Sequence, residues 1–322
     1  MSQTRIPLPQ FRTVLFAADL SEPARDAFAV ACALAREGAS RLIVLYVEEP
    51  IPSLEQVVGY GEMGVPIFLP RDVPAEPPTM ERLRELFVPG GPVAVDYQIR
   101  KGDAADEILA MAEESSCDLL VLGTHGRSGV DRLLMGSVAE AVMRHAPCPT
   151  LTVRSGSAGA KLGAVRTVLL ATDFTRYSEA ALRVARGLAR DHGAKLVIVH
   201  VVEPELVPGA PSETMSHVAT ERDALDAVRE RAEGSDLKFP VDVQLRNGDP
   251  AREVLACAQE VGCDLIVTGS HGRSGLGRLL MGSVAEAVMR QAGCPVLTVK
   301  VPANGAAGRE PAAVAGTANR QR

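Results

Sequence analysis

Residues 123–137 read GTHGRSGVDRLLMGS, and residues 269–283 read GSHGRSGLGRLLMGS. Outward from this pair, RLLMGSVAEAVMR recurs unchanged at 132–144 and 278–290, and residues 102–153 agree with 248–299 at 37 of 52 positions without a gap. A unit of about 150 residues is far longer than the roughly 20–50 of a solenoid repeat, so what is duplicated is a domain. In both copies a short apolar run leads into the first glycine and a helical pattern follows the last glycine–serine pair. That is the order of a parallel α/β sheet.

The rest of each copy keeps this alternation. In the first, strands are expected at Thr13–Ala18, Arg41–Val47, Val93–Ile99, Asp118–Gly123 and Thr150–Val153, and helices at Glu22–Arg36, Asp103–Glu114 and Ser137–Arg144. Ser21 is the expected N-cap of the first helix, with Gly38 beyond its end. The second copy predicts strands at Thr167–Ala171, Lys195–Val201, Val241–Arg246, Asp264–Gly269 and Val296–Val299, with helices at Tyr177–Arg190, Ser212–Arg231, Pro250–Glu260 and Val284–Arg290. The division follows: a first domain at 1–154, a linker at 155–164, a second domain at 165–301 and a disordered tail at 302–322. The linker (SGSAGAKLGA) spans only about 17 Å as a flexible coil, which places the halves side by side. The segment from Pro50 to Pro92 breaks the symmetry with nine of the chain's 22 prolines. It reads either as a lid over the first site or as a divergent surface loop.

Composition narrows the function. Net charge is −6 and no Lys/Arg-rich stripe occurs, which argues against nucleic acid as a partner. No apolar run approaches the roughly 20 residues of a membrane span, and the N-terminus lacks the layout of a secretory signal. The expected location is the cytoplasm, with no membrane partner. The six cysteines show no CxxC spacing, so a zinc site is not expected and they read as structural thiols.

The glycine pattern carries the chemistry. Gly123 ends an apolar strand, where open α/β sheets bind ligands. Gly126 lies in a tight turn that favours an unusual backbone conformation or a close approach. Gly136-Ser137 opens a helix whose N-terminal N–H groups favour an anion, with the Ser137 hydroxyl as a further donor. Gly269, Gly272, Gly282 and Ser283 repeat the assignment. A helix dipole alone supplies only about 0.3–1 kcal/mol, whereas micromolar affinity needs about 8 kcal/mol; a phosphate loop must act together with a base pocket. Asp19 and Asp173, after the first strand of each copy, could accept from ribose hydroxyls or simply start the following helix. Val47 and Val201 end the second strands, where a backbone group could read a base edge. His125 and His271 adjoin the loops without an acid at defined spacing, so they read as loop-packing or phosphate-contact residues. Arg127 and Arg273 could meet a terminal phosphate or be solvated loop charges. The chain has no GxxxxGK[ST] and no GxGxxG, which argues against a P-loop ATPase and a standard dinucleotide site.

Gly-x2-Gly-x9-Gly-Ser after a strand, with an aspartate following the first strand, resembles the ATP-binding branch of the universal stress protein family, in a tandem form. The likeness covers about residues 11–153 and 165–300. It implies two Rossmann-like domains of the adenine nucleotide alpha hydrolase type, each a five-stranded parallel sheet flanked by helices. It implies ATP, carried with Mg2+, at Asp19, Val47, Gly123, Gly126, Gly136, Ser137 and their equivalents, flanked by Ala17, Leu122 and Val138 in the first copy and Ala171, Thr268 and Val284 in the second. Gly102-Asp103 and Gly248-Asp249 match a further family loop near the nucleotide. An intrachain pseudo-dimer, a further homodimer and a regulatory protein partner are the associations it suggests. No catalytic residue is assigned; the alternatives kept open are a slow ATPase or nucleotidyl-transfer enzyme and a nucleotide-free interaction module.

Overall fold

The computed structural model describes residues 11–49, 57–60, 66–68, 79–124, 136–154, 156, 165–203, 213–233, 239–271 and 281–300. In the first half the strands are β1 (Thr13–Ala18), β2 (Arg41–Glu48), β3 (Val57–Tyr60), β4 (Pro66–Phe68), β5 (Val95–Lys101), β6 (Leu119–Gly123) and β7 (Thr150–Val153). The helices there are α1 (Glu22–Gly38), α2 (Met80–Leu86), α3 (Ala104–Glu114) and α4 (Ser137–His145). The second half has strands β8 (Thr167–Ala171), β9 (Lys195–Val202), β10 (Val241–Asn247), β11 (Leu265–Gly269) and β12 (Val296–Val299). Its helices are α5 (Arg176–His192), α6 (Glu213–Glu233), α7 (Pro250–Glu260) and α8 (Ser283–Gln291).

Ten strands form one sheet in the order β10-β9-β8-β11-β12-β7-β6-β1-β2-β5. Within each half every neighbouring pair is parallel. The halves meet edge to edge through β7 and β12, which pair antiparallel with Leu297 opposite Leu151. The Thr152 hydroxyl adds a 3.3 Å bond to the Val296 carbonyl across this seam.

Alternation along the strands sorts side chains into two cores, one per face. Val14, Phe16 and Leu170 join Ala27 and Val30 of α1, Leu83 of α2, Ala185 of α5 and Leu225 of α6 on one face. Leu15, Leu120 and Leu169 join Ile108 of α3, Val142 of α4, Val254 of α7 and Val288 of α8 on the other. Because both faces are covered, the strands read as near-continuous apolar runs rather than strict alternation.

Three details differ from the sequence reading. Gly38 does not terminate α1; it is the helix's last residue, and Ala39 takes the left-handed cap at φ 49°. The proline-rich segment contributes a two-stranded antiparallel sheet, β3–β4, and the short helix α2, capped by Thr79. The remaining residues of 50–78 lie outside the described residues, as do most of the 155–164 linker and the whole 302–322 tail. The cysteines do group: the Cys117 and Cys148 sulfurs sit 3.3 Å apart, and Cys263 and Cys294 are neighbours in the second half. Sequence spacing hid this, because each pair is joined by the pairing of parallel strands β6–β7 and β11–β12 rather than by proximity along the chain.

Candidate functional site

From β1 the chain runs outward to β2 on one side, while β6 lies on the other; β8 sits likewise between β9 and β11. The crevice at the carboxyl ends of β1 and β6, and of β8 and β11, is therefore the topological switch point where open α/β sheets take ligands. Ala17 faces Leu122 across the first crevice and Ala171 faces Thr268 across the second.

Asp19 and Asp173 sit at the rim of these crevices and perform the same local task. Asp19 Oδ1 accepts from the Ser21 backbone at 2.9 Å and its hydroxyl at 2.6 Å. Asp173 Oδ1 accepts from the Thr175 backbone at 3.1 Å and its hydroxyl at 2.7 Å. Ser21 and Thr175 are in turn the N-caps of α1 and α5. Each aspartate thus orients a cap through one oxygen. Each is followed by a non-glycine residue in the left-handed region, Leu20 at φ 62° and Phe174 at φ 64°, a strained geometry that recurs at ligand-facing turns.

The glycine loop hangs from a clasp that the sequence did not reveal. The Gly136 amide donates to the Thr124 carbonyl at 3.1 Å, and the Gly282 amide to the Ser270 carbonyl at 2.9 Å. Thr124 and Ser270 are buried and are themselves held by β7 and β12 through the Val153 and Val299 carbonyls. The loop between them thus begins and ends at one point, which brings the strand end to the start of α4 or α8. The only sequence signal was the small hydroxyl residue after Gly123 and Gly269. Gly136 and Gly282 are the N-caps of α4 and α8, in extended conformation and with no side-chain cap bond. The first N–H groups of those helices, from Ser137, Val138, Ser283 and Val284, have no acceptor within the helix. His125, Gly126, Arg127, Gly272 and Arg273 lie outside the described residues.

Gly269 has a packing reason of its own. A Cβ there would lie 2.9 Å from the Tyr177 carbonyl carbon in the first turn of α5, so the bare glycine lets that helix start close against the strand end. Gly102 and Gly248 adopt φ 152° and 142°, and their amides donate to the Glu48 and Val202 carbonyls at the ends of β2 and β9. The following residues, Asp103 and Asp249, cap α3 and α7. Val47 and Val201 are buried core residues. Val47 lies one residue past the last β1–β2 pair, Ala18 opposite Tyr46, so only its backbone borders the crevice.

At the second site the electrostatics are visible. The His271 ring stacks on Tyr177 with centroids 4.8 Å apart, and its Nδ1 meets the Ser270 hydroxyl at 2.9 Å. Burial, then Lys300 and Arg176, push its pKa below the usual histidine value, so the ring is neutral at pH 7. Its buried Nε2 has no hydrogen-bond partner among the described residues. Two cations and an unsatisfied imidazole nitrogen therefore surround the end of β11. Lys300 was also missed by sequence: from the end of β12 it reaches across the seam and donates to the Arg144 carbonyl of α4 at 2.8 Å. Arg154, its counterpart after β7, reaches the Gln291 carbonyl of α8 at 3.5 Å. Each half thus places a cation at the carbonyl end of the other half's helix, where the helix dipole favours it.

A parallel sheet covered by helices on both faces, with a clasped strand end and an open helix start at its switch point, is present here twice. The chain belongs to the universal stress protein family, whose sequence profile matches residues 10–154 and 164–300. It is 32% identical over 201 residues to a universal stress protein of Mycobacterium tuberculosis, covering 60% of this chain and 65% of that one. The match thus spans a little under two thirds of that relative's length. A universal stress protein of Thermus aquaticus is 37% identical over 137 residues, 42% of this chain and 98% of its own. The crystal structure of a universal stress protein from Archaeoglobus fulgidus shares the fold, with TM-score 0.59 at 20% identity over 90% of this chain and 99% of that one. No helix among the described residues is long and apolar enough to cross a membrane.

Proposed function

We propose that each half binds ATP at its switch-point crevice and that occupancy sets the conformation or the regulatory partner of the chain. The observation that carries the reading is the second site. There the clasp between Gly282 and Ser270 brings the open start of α8 to the end of β11, beside the buried Nε2 of His271 and the influence of Lys300 and Arg176. An uncompensated buried donor or acceptor costs about 1–3 kcal/mol, so a ligand atom that satisfies it gains on binding. In the tautomer whose Nδ1 accepts from the Ser270 hydroxyl, Nε2–H is a donor that a phosphate oxygen suits, and the N–H groups of Ser283 and Val284 are further donors. Asp173 is proposed to hold the ribose through its carboxylate, and the Val201 backbone to read the base. Asp19, Val47, Gly136 and Ser137 are proposed for the same roles in the first half. Mg2+ is proposed to arrive on the triphosphate.

The test is calorimetric titration of nucleotide-stripped protein with Mg-ATP, with two sites per chain expected. Gly136 and Gly282 have φ near −60°, a conformation alanine adopts freely. The Gly136→Ala/Gly282→Ala protein should therefore keep its circular dichroism while its new methyl groups obstruct the anion and abolish binding. Unchanged affinity in that protein would sink the site assignment.

A further inference from the structure

The two cysteine pairs lie at the amino ends of the central strands, away from the glycine loop of their own half. Cys117 follows α3 two residues before β6, and Cys148 lies two residues before β7. Strands β6 and β7 are parallel neighbours, with Leu120 opposite Thr150, and such strands run about 4.8 Å apart. A disulfide spans Cα separations of about 4.4–6.8 Å and needs its sulfurs at about 2.05 Å. The Cys117 and Cys148 sulfurs, at 3.3 Å, already face each other in the core under α3 and α4. The second half repeats the arrangement at the same strand ends, with Cys263 and Cys294 each two residues before the paired strands β11 and β12, and the two thiols are neighbours. Cys32 and Cys257 have no cysteine neighbour; the Cys257 thiol bonds Gln244 instead.

We propose that Cys263–Cys294 and Cys117–Cys148 are oxidation sites, each dithiol closing to an intramolecular disulfide when the protein meets a hydroperoxide. Cys263 is partly exposed, whereas Cys117, Cys148 and Cys294 are buried, so the second-half pair is the faster one. One thiol of the pair gives up its proton and becomes the attacking sulfur. Its thiolate attacks one peroxide oxygen: the S–O bond forms, the O–O bond breaks, and the leaving oxygen takes the proton released from the thiol and departs as water or alcohol. The other sulfur of the pair then attacks the sulfenic sulfur, forming S–S as the S–O bond breaks and water leaves with the second thiol proton. Two electrons pass from the sulfurs to the peroxide. The first-half pair follows the same course. Each bridge closes a loop that contains β6 or β11, the glycine loop and α4 or α8, so oxidation ties the base of each anion site to the neighbouring strand.

The experiment treats the reduced full-length chain with increasing hydrogen peroxide, alkylates the remaining thiols under denaturing conditions and maps the peptides by mass spectrometry. The expected result is two internal cross-links, 263–294 before 117–148, with Cys32 and Cys257 still alkylated and full reversal by dithiothreitol. Cys294→Ser should lose the first cross-link and retain the second. Six alkylatable thiols after treatment, sulfinic acid without cross-links, or cross-links that join other cysteines would overturn the proposal. A single cross-link would overturn it for the other half. The outcome is independent of ATP binding, which calorimetry reads on the reduced protein.

Discussion

Helices α1 and α5 end in the same turn, yet one closes on alanine and the other on glycine. Ala39 has φ 49° and ψ 38°, and Gly193 φ 62° and ψ 29°. In both, the next amide reaches back to close the wider Schellman bond, Ser40 to Ala35 and Ala194 to Ala189, each at 2.8 Å. A non-glycine residue in this region costs about 1–2 kcal/mol. Glycine relinquishes about 0.4–1 kcal/mol of that advantage through its looser unfolded chain. The net expectation is that Ala39→Gly stabilises the protein by about 0.5–1 kcal/mol and Gly193→Ala destabilises it by the same amount, from the difference of those two terms. Little steric change complicates the comparison, since a Cβ on Gly193 meets nothing within 4 Å and Ala39 is exposed. Equilibrium urea unfolding followed by far-UV circular dichroism would show the unfolding constant moving about 2–5-fold in opposite directions. Shifts of the same sign, or no shift in Gly193→Ala, would refute the claim that backbone conformation alone separates these caps.

Two further outcomes follow from geometry already described. Gly269→Ala should destabilise by about 1–3 kcal/mol, the usual cost of overpacking, because its Cβ would meet the α5 backbone at 2.9 Å; thermal unfolding checks it, and a neutral result would mean α5 can retreat from β11. Lys300 has its pKa lowered to about 8 by burial. The unfolded chain therefore binds the extra proton between about pH 8 and the ordinary lysine value, so stability contributed here rises with pH across that window and is lost as pH falls through about 8. Solvent reaches part of the side chain, so the effect should be about 1–2 kcal/mol rather than the full shift. The difference in urea midpoint between wild type and Lys300→Met, measured from pH 7.5 to 10, should change accordingly; a difference constant with pH would contradict it.

Much of the fold was legible because parallel strands buried on both faces leave unbroken apolar runs. TVLFAA, TLTV, TVLLA and VLTV therefore marked β1, β7, β8 and β12 to the residue. Helix starts were legible where a side chain makes the cap, as at Ser21. The end of α1 was misread because glycine is the ordinary stop signal, and here the residue after it takes the left-handed turn. Nothing in TLTV or VLTV distinguishes an edge facing its own half from one facing the other, so the β7–β12 seam was illegible. So were the features that depend on it, the Lys300 bond to α4 and the Arg154 bond to α8. The glycines of the candidate site were visible as a spacing. The clasp at Thr124 and Ser270 was not, because it is made by backbone atoms, which any residue possesses.

The seam has a consequence for assembly. Because β7 and β12 run in opposite directions, the carboxyl ends of the two half-sheets point to opposite ends of the molecule. The foot of the first half lies near the end of β11: Lys300 feels Cys148 on one side and acts on His271 on the other. A small ligand at one switch point therefore does not reach the other. A partner that docked at one switch point would find the equivalent end of the other half pointing away from it, so a bivalent partner would string these chains into a row rather than close them into a ring.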